Sequence, residues 1–104
     1  MSQYRVKWSD EALGHLDALW DHVPDAGSPL SADRFTEAIV ARCQRLADFP
    51  YLGKARGDIR PGLRILGYKK RITIAFTVLD NGTVAIAGIF YAGCDWQTIL
   101  ADND

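Results

Sequence analysis

The chain has 104 residues, 48% of them apolar and 24% charged, with a formal net charge of −1. That is enough for one domain, 1–104, with a single modest core, and these proportions exclude a disordered chain. No apolar run approaches the ~20 residues of a membrane helix, the opening "MSQYRVKWSDEA" lacks the basic, apolar, small-residue order of a signal peptide, and the expected localisation is cytoplasmic with no membrane partner.

The stretch "QYRVKW" alternates Tyr4, Val6 and Trp8 with Arg5 and Lys7, the period of a half-buried strand. In "SDEALGHLDALWDHVP" the period changes. Ser9 or Asp10 caps a helix with acids in its first turn, Leu13, Leu16, Trp20 and Val23 fall on one stripe, and Pro24 stops it. After the turn "DAGSPL", Ser28 and Pro29 open a second helix with Phe35, Ile39, Cys43, Leu46 and Phe49 on one side, ending near Pro50. Two amphipathic helices with so short a link predict an antiparallel hairpin.

The second half reads as sheet. "YLGKARGDIRPG" is a loop, and "LRILGY" is a strand closed by a turn around Gly67 to Lys70. "RITIAFTVL" then places Ile72, Ile74, Phe76 and Val78 on one face and Thr73, Ala75 and Thr77 on the other. Asn81-Gly82 predicts a type I′ hairpin, whose two central positions both need positive φ. It leads into "VAIAGIFYA", with Val84, Ile86, Gly88 and Phe90 facing one way and Ala85, Ala87, Ile89 and Tyr91 the other, before a short helix "DWQTIL". The order β-α-α-β-β-β-α predicts an α+β fold, a helical hairpin packed on a small, mainly antiparallel sheet.

Charge is divided unevenly along the chain. From Lys54 to Arg71 seven Lys and Arg stand against Asp58 alone, a net of +6, while the rest carries five Lys and Arg against twelve Asp and Glu, a net of −7. Two readings remain open: a surface for a polyanion or acidic partner, or a solvated strand edge that resists aggregation. Arg64, on a strand among other cations, has no obvious acid beside it.

"WSDEAL", "FPYLGKARGDIRPGLRIL", the alternating strand and tight turn, and the closing "IFYAGCDWQTIL" together resemble the ParE/RelE superfamily of toxins from bacterial type II toxin–antitoxin systems, over nearly the whole chain and closer to the ParE, plasmid-stabilisation branch. The resemblance implies a growth-inhibiting toxin silenced by a cognate, ParD-like antitoxin, in a possible toxin–antitoxin hetero-oligomer, with no cofactor. ParE-like members act on DNA gyrase, trapping it on cleaved DNA. RelE-like members enter the ribosome and cut messenger RNA, and this is the alternative reading. Arg56, Arg60, Arg64, Tyr91 and Trp96 are the candidate target-binding residues. For the antitoxin they are Leu16, Leu19 and Trp20, on a first helix with more large apolar side chains than one narrow core stripe needs.

Cleavage by 2′-hydroxyl attack needs a base, cations for the developing charge and an acid for the leaving oxygen. Arg64 supplies a cation and Tyr91 an acid or stacking group, but "FYAGCDW" offers nothing more, with Cys94 where many relatives carry a basic residue. Tyr91 and Trp96 also fit a second role, as amphipathic rings that seal the edge of the sheet. His15 and His22 sit on the first helix, distant in sequence from the basic loop, and read as satisfied or solvated. Cys43 and Cys94 have no metal-ligand spacing and read as reduced thiols, Cys94 without a base to activate it. The complement for nuclease chemistry is therefore incomplete, and a gyrase poison without catalytic activity of its own is the expected function. A degenerate toxin that has lost its target activity is a third reading.

Overall fold

The computed structural model describes residues 4–21, 29–68, 72–91 and 95–101. Strand β1 (Arg5–Trp8) is followed by helices α1 (Asp10–Asp21) and α2 (Pro29–Gln44), a single 3-10 turn (Arg45–Ala47), and strands β2 (Lys54–Ala55), β3 (Leu63–Tyr68), β4 (Ile72–Val78) and β5 (Thr83–Tyr91), with α3 (Trp96–Ala101) last. The sheet order is β1-β5-β4-β3-β2. Among the described strands only β1 runs parallel to its neighbour, with Val6 opposite Val84 on β5. The α+β architecture and every long element match the expectation. The addition is β2, two residues inside the predicted loop that pair with Ile65 and Arg64 of β3.

Local chemistry explains the boundaries. Ser9 is the N-cap of α1, its hydroxyl accepting the Ala12 N–H at 3.0 Å. The cap proposed at Ser28 and the stop at Pro24 lie outside the described residues, and of the turn expected around Gly67 to Lys70, Gly67 and Tyr68 still belong to β3 while Lys69 and Lys70 lie outside them. Along α2 the predicted stripe holds for Ile39, Cys43 and Leu46, all fully buried, but Phe49 is 53% exposed. The helix ends at Gln44 and the following 3-10 turn advances by a tighter period, which carries Phe49 off the stripe. On α1 the inward face runs through Ala12 and Leu16, not Leu13, which is 47% exposed. Ala12 sets that face despite its size.

The turn between β4 and β5 differs from the predicted type. The Gly82 N–H donates to the Leu79 carbonyl at 3.2 Å and the Leu79 N–H to the Thr83 carbonyl at 2.7 Å. Asp80 and Asn81 are thus the central residues, and Gly82 follows them at φ +82°. This is the three-residue hairpin loop in which glycine takes the left-handed position.

Both faces of the sheet are covered. The hairpin of α1 and α2 buries Leu66, Ile72, Ile74, Phe76, Val84, Ile86 and Ile89, and α3 with the segment before β3 covers Leu63, Ala75 and Phe90 on the opposite face. The strict alternation expected for β5 fails at one place. Ala75 pairs with Gly88 but Phe76 pairs with Ile86, so Ala87 is an extra residue. A bulge of this kind reverses the side-chain alternation beyond it. Hence Ile89 and Tyr91 join Val84 and Ile86 under the helices, and Phe90 turns to the α3 face. Fully burying Phe76, Ile39 or Leu46 is worth about 1.5–3 kcal/mol each, so the helix face carries most of the hydrophobic stabilisation.

Candidate functional site

The structure gathers three of the five expected target-binding residues beneath α3. Arg56 makes a two-bond pair with Asp58, at 3.0 Å through Nε and 3.1 Å through Nη2. Its guanidinium carbon also lies 5.6 Å from the centroid of the Trp96 ring. Hydrogen bonds from Arg56 hold the Asp58 carboxyl below the usual carboxylate range, and the same bonds raise the guanidinium. Trp96 is only 9% exposed and packs with Leu63, Phe90 and Leu100. Arg60 donates through Nη2 to the Leu100 carbonyl at 3.1 Å, in the last turn of α3 where helical carbonyls lack partners. Together these groups fasten α3 to the sheet.

Arg64 is elsewhere. From β3 its Nη2 donates to the Tyr51 carbonyl at 2.7 Å and to the Gly53 carbonyl at 3.4 Å, and its Nε to the Leu52 carbonyl at 3.5 Å. The guanidinium carbon lies 5.5 Å from the Tyr51 ring centroid. Its partners are backbone oxygens and a ring, and no acid among the described residues shares its charge. Gly53 has φ +83°, and a Cβ there would run into the Ile65 carbonyl, so only glycine brings this loop within reach of Arg64.

Tyr91 is half-buried on the helix face, opposite Ile72, whereas Arg64 lies opposite Phe76. Four residues along the strand and two strand spacings across separate them, about 13 Å by about 10 Å. The two groups considered for ribonuclease chemistry therefore do not meet. On the antitoxin side, Leu16 packs against the helix-face core. The side chains of Leu19 and Trp20 lie outside the described residues, as do Lys69, Lys70, Arg71, His22 and Cys94. Cys43 is buried, and desolvation pushes its thiol up to about 12, so it is inert packing.

One group that sequence reading set apart from the basic loop does reach it. A pocket of about 180 Å³ is lined by Ser9, Glu11, His15, Arg60, Phe90 and Leu100, among others. β1 stops at Trp8, and α1 takes its place along β5. The Ser9 hydroxyl donates to the Ala87 carbonyl at 3.3 Å, and His15 Nδ1 accepts the Ile89 N–H at 3.2 Å. With Nδ1 so occupied, the neutral ring carries its proton on Nε2. Desolvation lowers the His15 pKa, with Glu11 opposing in part. The imidazole is thus satisfied and neutral, with little capacity to act as a general acid near pH 7. The four-residue spacing of Glu11 and His15 on one helix was the available signal for this cluster.

No group of His, Cys, Asp or Glu among the described residues is arranged to hold a metal ion, and no helix there is long and apolar enough to cross a membrane. The family model described as "ParE toxin of type II toxin-antitoxin system, parDE" matches residues 6–96. Toxin ParE1 from two strains of Mycobacterium tuberculosis, CDC 1551 / Oshkosh and H37Rv, is 28% identical over 91 residues, covering 88% of this chain and 92% of each relative. Among solved structures, the chromosomal ParDE toxin–antitoxin system from P. aeruginosa superposes with a TM-score of 0.73 at 25% identity, covering 88% of this chain and 98% of that one. The toxin–antitoxin complex RelBE2 from Mycobacterium tuberculosis shares the fold at a TM-score of 0.61 and 18% identity, covering 86% and 98%.

Proposed function

From the premise that the chain belongs to the ParE toxin family of type II toxin–antitoxin systems, we propose that it is a non-catalytic poison of DNA gyrase, held silent by a ParD-like antitoxin. The observation that carries the non-catalytic part is the separation of Arg64 from Tyr91 across the helix face. Acid, base and cation must converge within hydrogen-bond reach of one phosphate for cleavage, and these two do not. Arg56 and Arg60 are engaged with α3, and His15 is held neutral with one nitrogen occupied. What this chemistry supports is recognition of a partner surface.

The antitoxin fits the outer side of α1. Leu13 is 47% exposed one turn from the half-buried Leu16, and an amphipathic segment laid along this helix would cover both. Such an interface leaves the sheet and α3 undisturbed.

The deciding experiment uses purified chain in two assays. Inhibited supercoiling with accumulation of cleaved DNA, and unimpaired synthesis in a translation extract, is the expected result. Codon-dependent cleavage of messenger RNA in the extract with gyrase unaffected would overturn it in favour of a RelE-like ribonuclease.

A further inference from the structure

One end of the molecule carries exposed aromatic rings that neither core uses. Phe49 is 53% exposed and Tyr51 62%, and Leu79, on the turn after β4, is 40% exposed. Each ring bears a guanidinium: Arg45 lies 5.8 Å from the Phe49 centroid and Arg64 5.5 Å from that of Tyr51. Neither arginine has a carboxylate within salt-bridge distance among the described residues. The neighbouring Tyr51 phenol pushes the Tyr4 pKa up, so the Tyr4 hydroxyl stays neutral. Beside Arg64 and Tyr51 opens a cleft of about 210 Å³ whose apolar walls include Ala55, Leu63 and Val78.

These features combine as a recognition surface. Tyr and Arg dominate binding hot spots because they bring large contact area and directed hydrogen bonds at low entropic cost. Here the low cost is visible. Arg64 is held by three carbonyls and a ring before any partner arrives, while its Nη1 amino group has no bond among the described residues. The cleft admits about one large apolar side chain, with a cation beside it. We propose that this end docks a protein segment in which a carboxylate adjoins a large apolar side chain, the apolar group entering the cleft and the carboxylate meeting Arg64.

The same chemistry fits a nucleic acid less well. Only two guanidiniums, of Arg45 and Arg64, stand on these rings, while Asp48 precedes Phe49 in the chain and Asp80 acts on the nearby Tyr4. A polyanion gains from arrays of cations and is repelled by such acids. The surface is separate from α1 and from the pocket under α3, so the inference does not depend on the gyrase reading.

The test is a selection of random short peptides displayed on phage against the whole chain, followed by fluorescence anisotropy of the enriched peptides at low and high salt. Single-stranded oligothymidylate serves as the competing probe. Enriched peptides are expected to place Asp or Glu next to Leu or Phe, and to lose affinity about tenfold or more when that acid becomes Asn or Gln. Two variants read the site independently. Tyr51→Ala removes an exposed ring, and Ala55→Phe fills the cleft while sparing every bond of Arg64. Each should weaken binding about tenfold or more while the chain remains fully folded at the assay temperature. Failure to enrich any peptide, a motif without an acid, or peptides that bind both variants as tightly as the parent would each overturn the proposal. So would Tyr51-dependent binding of oligothymidylate tighter than that of the peptides, which would make this a nucleic-acid surface.

Discussion

Replacing Arg64 by alanine tests whether that cation is a structural clamp or a free recognition group. Its bonds to carbonyls measure 2.7, 3.4 and 3.5 Å, of which only the first is short enough to count at full strength. A hydrogen bond from a charged group is worth about 1.5–3 kcal/mol, and partial exposure argues for the lower end. Stacking on the exposed Tyr51 ring adds about 0.5–1 kcal/mol. No buried charge is orphaned by the change, so the expected loss is about 2 kcal/mol, or roughly 8–15 °C in Tm for a domain of this size. Thermal and urea unfolding followed by circular dichroism would measure it. Arg64→Lys should recover less than half, because an ammonium reaches one carbonyl and cannot stack as a plane. An Arg64→Ala variant within about 0.5 kcal/mol of the parent, the range of an ordinary surface change, would refute the clamp. Any loss of toxicity in Arg64 variants has to be read against this stability loss.

His15 accepts the Ile89 N–H only while neutral, and its folded pKa lies below the unfolded value near 6.5. Its contribution is therefore complete above about pH 6.5 and is lost as pH falls toward the folded pKa; urea unfolding across this window should show declining stability that His15→Ala flattens. Trp96→Ala removes a ring packed between Arg56 and Phe90, and should cost about 3–5 kcal/mol, the largest single loss on the α3 face, read as a fall in the urea midpoint. In a Cys94→Ser background, Cys43 should resist a thiol reagent at pH 8 in the native state and react only on unfolding, since burial pushes its pKa up to about 12. Leu13→Glu should weaken antitoxin binding with little change in Tm, because Leu13 is 47% exposed; equal losses of both would place it in the core after all.

Periodicity read the architecture because each long element has one dominant buried face. Ile39 and Cys43 on α2, with Leu46 in the 3-10 turn that continues it, and Ile72, Ile74 and Phe76 on β4, recur at the spacing their elements impose, and burial enforces it. The failures have local physical causes. A bulge at Ala87 leaves no trace in an apolar run, since Ala, Gly and Ile satisfy either face, yet it turns Phe90 and Tyr91 to opposite sides from those expected. Phe49 was misplaced by a tightening of the chain from α-helix to 3-10 turn, a change that Arg45, Leu46 and Ala47 do not advertise.

The cations expose a deeper limit. In the sequence, Arg64 stands out as a cation with no obvious acid beside it, in a segment where seven Lys and Arg face Asp58 alone. Arg56 does have an acid, Asp58, as its hydrogen-bond partner. Arg60 and Arg64 bond main-chain carbonyls, of Leu100 and of Tyr51 to Gly53, and every residue has a carbonyl. Such a partner carries no side-chain signature, so charge counting along the chain cannot see it. Arg64, held by carbonyls, nevertheless keeps its full positive charge, because no carboxylate among the described residues pairs with it. Arg64 can thus fasten the loop that carries Tyr51 and still present an unneutralised guanidinium to a partner. The structural clamp and the recognition surface are compatible roles of one side chain, and the first fixes the geometry on which the second depends.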